Sequence, residues 1–136
     1  MRATKFTHFL DSNVLLYLLS EDGGKADKVE SLLKAGPVIS VQVLNEVTHV
    51  CRRKLQMEWS EIEEFLALVR RFCKVVPLTE AAHDRARLIA EHSKLSFYDA
   101  SIVASAVLGG CNTLYSEDMN NGQVLENSLT LRNPFV

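Results

Sequence analysis

Four carboxylates are the residues of this sequence whose types and spacing could do chemistry. They are Asp11 in Leu10-Asp11-Ser12-Asn13, Glu46 after Asn45, Asp99 in Tyr98-Asp99-Ala100-Ser101-Ile102, and Asp118 in Ser116-Glu117-Asp118-Met119. Each has an everyday explanation on its own. Asp11 suits a turn or a helix cap, Ser96-x-x-Asp99 has capping-box spacing, and Glu46 suits a surface residue lying along its helix. Together they point elsewhere. Like charges gathered at one place repel unless a cation is present, and hard oxygen donors without histidine or thiolate select Mg²⁺ or Mn²⁺. Such an ion makes water more nucleophilic and stabilises the anionic oxygens of an attacked phosphodiester, so phosphodiester hydrolysis is the expected reaction.

For the four acids to meet, the elements around them must end at one edge. Residues 6–10 read as a short strand, Asp11-Ser12-Asn13 as a turn, and 14–19 as a helix ending near Asp22-Gly23-Gly24. Ala26, Val29, Leu32 and Leu33 have helical spacing within 25–35, and Gly36-Pro37 separates them from a second strand at 38–41. The next helix presents Val43, Leu44, Val47, Val50, Cys51 and Leu55 on one face. At about 100° per residue, Glu46 falls roughly 40° outside that stripe and borders the core. Ser60-Glu61-Ile62-Glu63 predicts a capping box opening a helix through Arg71. A third strand follows at 73–78 and a helix at 79–93. From Ala100 to Leu108 nearly every residue is small or apolar, so this helix should be buried on most sides, capped by Ser96 and stopped by Gly109-Gly110. Residues 111–116 and 129–131 read as the fourth and fifth strands.

Alternating strands and helices predict a parallel α/β sheet covered by helices on both faces, since parallel strands need crossover connections. Ligands of such sheets bind beyond the carboxyl ends of the strands. Asp11 and Asp118 follow strand ends, and Glu46 and Asp99 are expected in the first turns of helices. If strands one and four are neighbours, all four acids share an edge.

The 136 residues, 47% hydrophobic, suffice for one domain with a core, spanning 1–136. A net charge of −2 gives no overall attraction to nucleic acid or to anionic membranes. Setting the four acids aside leaves a net positive remainder, and with it a mildly basic rim. Cys51, Cys73 and Cys111 are odd in number and widely spaced, as expected of reduced thiols in a cytoplasmic protein. No leader or membrane-spanning run is read. His83 and His92 are expected on solvated faces, His8 and His49 in the core or at its rim, and none of them is given a role.

The four acidic motifs, in this order and in these contexts, resemble the PIN domain, and in particular the VapC-like toxins of type II toxin-antitoxin systems. That resemblance implies a PIN-like three-layer α/β/α fold with a central, mostly parallel sheet of about four to five strands. It also implies a Mg²⁺- or Mn²⁺-dependent endoribonuclease, a homodimer, and inhibition by a VapB-like antitoxin whose tail occupies the acidic groove. Carried over by residue, Asp11, Glu46 and Asp99 match the metal-binding catalytic acids. Asp118 matches the fourth, with Glu117 beside it as the alternative ligand. Asn13 and Ser116 match supporting polar residues. For an RNA substrate, Arg52, Arg53 and Lys54 are candidate phosphate contacts, although a charge run is commonly just a solvated face. Two other readings stand beside this one. One is a catalytically silent interaction or RNA-binding domain of the same fold. The other is an aspartate-based phosphotransfer enzyme, which would want a second acid adjacent to Asp11, where Leu10 and Ser12 stand.

Overall fold

The computed structural model describes residues 8–136; the first part of the expected first strand, Phe6 and Thr7, lies outside them. The chain runs β1 (His8–Leu10), α1 (Ser12–Leu15), a 3₁₀ turn (Leu16–Leu19), α2 (Gly23–Lys34), β2 (Val38–Ser40), α3 (Val41–Arg53), α4 (Trp59–Phe72) and β3 (Lys74–Val76). It continues with α5 (Glu80–His92), α6 (Phe97–Leu108), β4 (Thr113–Tyr115), β5 (Val124–Leu125) and β6 (Leu129–Arg132). The sheet has the order β3-β2-β1-β4-β6-β5, parallel throughout except for β5, which pairs antiparallel with β6.

This is the expected mostly parallel α/β architecture, with six strands where four to five were anticipated. The extra one is β5, two residues long and joined to β6 through Glu126 and Asn127, both at positive φ (52° and 59°). Two successive positive φ values suit the tight hairpin turns that match strand twist.

Strand order dictates the layers. From β1 the chain steps outward to β2 and β3, then returns to the far side of β1 to lay down β4. Right-handed crossovers running in opposite directions put their helices on opposite faces. Accordingly α3 contacts both α1 and α4, whereas α5 and α6 pack together and α6 rests on β2 and β4. Caught between sheet and α5, α6 buries Ala100, Ile102, Val103, Ala104, Ser105 and Ala106, which explains its nearly continuous apolar sequence. Ser96 caps it and Gly109 ends it, as expected. A Cβ at Gly109 would sit 3.1 Å from the Ser105 carbonyl oxygen and 3.4 Å from Val38 Cγ1, so a side chain there would crowd α6 off β2. The inner strands are covered on both faces: Phe9, Leu10, Ile39, Leu114, Leu129 and Leu131 are all fully buried.

Smaller expectations shift. The first helix is one α turn that tightens into 3₁₀ geometry at Leu16. The capping box of α4 is made by Glu58 and Glu61, two residues before the Ser60–Glu63 pair. His8 is half-buried and its Nε2 hydrogen-bonds the Leu32 carbonyl at 3.2 Å, but His49 is exposed on α3, neither in the core nor at its rim. Cys51 and Cys111 are buried and Cys73 half-buried; burial pushes the Cys73 thiol up to about 12 and Cys111 to about 11, values suited to inert packing. No helix of the described residues is long and apolar enough to cross a membrane.

Candidate active site

The sheet reverses direction between β1 and β4, and there the connections leave in opposite directions and open a crevice. Leu10 pairs with Tyr115, so Asp11 and Ser116 leave the sheet side by side. The Asp11 amide extends the ladder to the Tyr115 carbonyl (3.0 Å), and the Ser116 amide reaches the Arg132 carbonyl (2.9 Å). The same edge receives Glu46 and Asp99. Helix α3 starts directly from the end of β2, with Ser40 as its cap. Helix α6 feeds the start of β4 from the opposite direction, so its first turn, carrying Asp99, lies at the strand's finishing edge.

Asp11 is 4% exposed. Its Oδ1 accepts from the Ser12 amide at 2.7 Å and caps α1, while Oδ2 accepts from Ser116 Oγ at 2.9 Å and from Asn13 Nδ2 at 3.4 Å. Burial nevertheless raises its pKa from 3.8 to about 6; the bonds from Ser116 and Ser12 oppose this, and the charges of Glu46 and Asp99 add to it. Glu46, half-buried as its helical phase predicted, accepts from Ser12 Oγ at 2.8 Å and from Gln42 Nε2 at 2.9 Å. Asp99 is half-buried, and its pKa is raised by burial first and then by the charges of Asp118 and Glu46, against an opposing Ser96 hydroxyl. Ser96 caps α6 through its own hydroxyl, accepting from the Asp99 amide at 3.1 Å. Among the described helices a reciprocal box is formed only on α4, so the Asp99 carboxylate is not spent on the Ser96 backbone amide and feels only the Ser96 hydroxyl of that cap.

Asp118 is exposed and accepts from Asn13 Nδ2 at 3.0 Å. Asn13 ties the two strand ends together, since its Oδ1 also accepts from the Glu117 amide at 3.1 Å and its Nδ2 lies 3.3 Å from Ser116 Oγ. The Glu117 carboxylate is engaged elsewhere, with Tyr17 Oη (2.7 Å) and Lys25 Nζ (3.1 Å).

Asp11 and Asp99 each feel two other members of the set, and none of the four acids takes part in an ion pair among the described residues. They are held by neutral donors alone. As they stand, no three acids among the described residues are close enough together to hold an ion. Mutual repulsion favours such spreading; of the two outer acids, Asp99 is half-buried and Asp118 exposed.

The basic run read as phosphate contacts lies toward the far end of α3. Arg52 is six positions beyond Glu46, about 9 Å along the helix axis. Its Nη1 donates to the Met57 carbonyl at 2.9 Å and its guanidinium lies 5.0 Å from the Trp59 ring centroid, closing the α3–α4 connection. Arg53 and Lys54 are exposed at the same helix end. Reading the sequence missed Ser12 and Gln42 as supports of Glu46. Gln42 precedes Glu46 by one helical turn, a spacing that signals the contact; Ser12 offered no such signal.

Comparisons with known proteins agree with this architecture. No curated protein sequence matches significantly. Among solved structures, a toxin-antitoxin complex from Klebsiella pneumoniae superposes with a TM-score of 0.70 at 18% identity, covering 94% of this chain and 98% of that one. VapBC2 from Rickettsia felis, bound to a DNA fragment of its promoter, gives 0.70 at 17%, with the same coverage. Mycobacterium tuberculosis VapC20, described as a Sarcin-Ricin loop cleaving toxin, gives 0.65 at 18%, covering 82% of this chain and 90% of that one. At such identities the likeness is one of fold. A family model described as PIN domain matches residues 8–121, a span that runs from β1 past Asp118 and takes in all four acids. By that match the chain belongs to the PIN-domain family.

Proposed function

We propose that this protein is a Mg²⁺- or Mn²⁺-dependent endoribonuclease acting as the toxin of a VapBC-type pair. The observation that carries the reading is a buried carboxylate, Asp11, facing Glu46 and Asp99 at the sheet's reversal point with no cation paired to any of them among the described residues. PIN domains are typically nucleases and generally metal-dependent.

The donor set fits such an ion: four carboxylates and a serine hydroxyl are hard oxygen donors, which suit Mg²⁺ or Mn²⁺. Asp11, Glu46, Asp99 and Asp118 would hold it. When bound, the ion supplies a nucleophilic water and neutralises charge on the scissile phosphate. The remaining work belongs to the chain. Ser116 and Asn13 fix the inner oxygen of Asp11, Ser12 and Gln42 aim the Glu46 carboxylate, and Asn13 steers Asp118. Asp11, tied down by four hydrogen-bonding contacts when its backbone amide is counted, would be the anchor, and Asp99 and Asp118 would complete the donor set.

RNA is the proposed substrate, in single-stranded or looped form whose bases are open to contact; the description of VapC20 as a loop-cleaving toxin supports this. The toxin-antitoxin complexes among the structural relatives support a small inhibitory partner, whose arginine would fork onto two of these carboxylates. A homodimer formed by a single domain of 1–136 completes the reading. Aspartyl phosphotransfer fits poorly, because both Asp11 oxygens are engaged and the carboxylate is buried.

The test is cleavage of a structured RNA by the purified protein with Mg²⁺ or Mn²⁺, mapped by sequencing the new ends. Cutting at defined positions that stops in EDTA and with Asp99→Asn is expected. Undiminished cutting in excess EDTA would overturn the proposal, and intact RNA with every metal tested would favour the silent interaction domain.

A further inference from the structure

Adjacent acids at 117 and 118 end in different surroundings. Glu117 accepts from Tyr17 Oη at 2.7 Å and from Lys25 Nζ at 3.1 Å, and Lys25 Nζ also lies 3.3 Å from Tyr17 Oη. The ammonium sits over two rings, 4.6 Å from the Tyr17 centroid and 5.0 Å from that of Phe135, and those rings meet edge to face at 4.9 Å. Both charged side chains are about two-thirds covered, at 34% and 29% exposed, so solvent screens this pair less than an open surface bridge. Four segments meet here: the 3₁₀ turn after α1, the first turn of α2, the loop after β4, and the stretch after β6 that carries Phe135.

We propose that Tyr17, Lys25 and Glu117 form a positioning clamp that withdraws Glu117 from the acidic cluster and fixes the loop so that Asp118 is its fourth carboxylate. The inference rests on the metal-site reading above and deepens it. The Glu117 side chain is pulled to one side by Tyr17 and Lys25, and its amide is held on the other by Asn13 Oδ1, the same amide group that donates to Asp118. Rotation of the loop is thereby limited from both sides. Lys25 does a second job by neutralising Glu117, so the charge gathered at the cluster stays at four acids. Tyr17, Lys25 and Glu117 are positioning residues: they act on the site through the backbone of Asp118.

Mn²⁺ binding to the full chain, followed by loss of the free-ion EPR signal, provides a readout besides activity. Asp118→Asn should weaken binding strongly. Glu117→Ala should weaken it roughly tenfold, the lower end of what outer-shell partners of metal ligands contribute. Glu117→Gln should restore most of the affinity, because its amide oxygen still accepts from Tyr17. Tyr17→Phe keeps both ring contacts and loses only the hydroxyl, so it reports on the clamp even if Glu117→Ala fails to fold; a loss between those of Gln and Ala is expected. If Glu117→Gln binds Mn²⁺ as poorly as Asp118→Asn, Glu117 is a ligand and the clamp is wrong. Wild-type affinity in both Glu117→Ala and Tyr17→Phe also overturns it. A wild-type protein that takes up no Mn²⁺ brings down the metal-site reading itself, and the clamp with it.

Discussion

Neutralising Asp11 should stabilise the metal-free protein at neutral pH and destabilise it slightly in acid. Asp11 is 4% exposed and its pKa is raised from 3.8 to about 6. In the unfolded chain it ionises near the lower value. Between about pH 4 and pH 6 the folded protein therefore keeps a proton that the unfolded chain has released, and stability falls as pH rises through that window. At about 1.4 kcal/mol per unit over roughly two units, the loss approaches 3 kcal/mol, complete above the folded pKa and absent below the unfolded one. Asp11→Asn removes this titration. It leaves one oxygen to serve both the Ser12 amide and Ser116 Oγ, at a cost of about 1 kcal/mol for the bond forgone. The two stability curves should cross: in EDTA the variant is weaker than wild type by about 1 kcal/mol near pH 4 and stronger by about 2 kcal/mol at pH 7. Urea unfolding in EDTA at intervals from pH 4 to 8 measures both, and the difference between the curves isolates Asp11 from the other acids. Mg²⁺ at a hundredfold excess over its dissociation constant should then add about 2.7 kcal/mol to wild type and little to the variant. A variant weaker than wild type by the same amount at every pH would refute the reasoning, because Asp11 would then be an ordinary structural cap.

Asp99→Asn should keep the metal-free melting temperature, since Ser96 supplies the cap of α6, while losing most of the Mg²⁺-induced rise; a drop without metal and a normal Mg²⁺ response would mark Asp99 as structural. Ser12→Ala and Gln42→Ala each release one oxygen of Glu46 and should weaken Mn²⁺ binding roughly 10- to 100-fold, measured by titration, with unchanged affinity in both showing that Glu46 stands outside the site. Arg52→Ala should lower stability by about 1–2 kcal/mol through loss of the Met57 bond and the Trp59 contact. RNA affinity that falls in this variant with no change in unfolding would instead support Arg52 as a phosphate contact.

Where local chemistry decides structure, the sequence was readable. Gly36-Pro37 separates α2 from β2, Ser96 and Gly109 bound α6, and the unbroken small and apolar run between them follows from burial between sheet and α5. Where tertiary pairing decides, it was not. The two residues of β5 form a strand because β6 lies beside them, and nothing within Val124-Leu125 distinguishes them from loop. The helix-phase argument placed Glu46 at the core border, where it lies. Asp11, Asp99 and Asp118 could be assigned to one edge once β1 and β4 were taken as neighbours, which they are. The pairing of Glu117 with Lys25 was closed to local reading, because the two are 92 positions apart. Arg52, read as part of a basic run, also serves a helix connection that the run did not reveal, since its partners Met57 and Trp59 are met only when the chain turns.

Capping and cation binding looked like competing explanations of the same acids, yet the geometry lets one residue do both. Asp11 gives Oδ1 to the Ser12 amide and turns Oδ2 toward Ser116 and Asn13, and at Asp99 the cap is delegated to Ser96 altogether. Magnitudes then separate the two roles. A carboxylate at a helix start gains about 0.3–1 kcal/mol from the aligned backbone dipoles, and less from a helix as short as α1. The shift at Asp11 survives its hydrogen bonds and still amounts to about 3 kcal/mol against the ionised form. Helix-dipole stabilisation is thus smaller by a factor of several than the cost of ionising Asp11 where it stands. On the reading proposed above, that cost is offset by a positive charge brought in from outside, since among the described residues no lysine or arginine is paired there. A divalent ion has the charge to do so, and its removal should therefore leave Asp11 protonated near pH 5, visible as a carboxylic acid band in the infrared difference between wild type and Asp11→Asn.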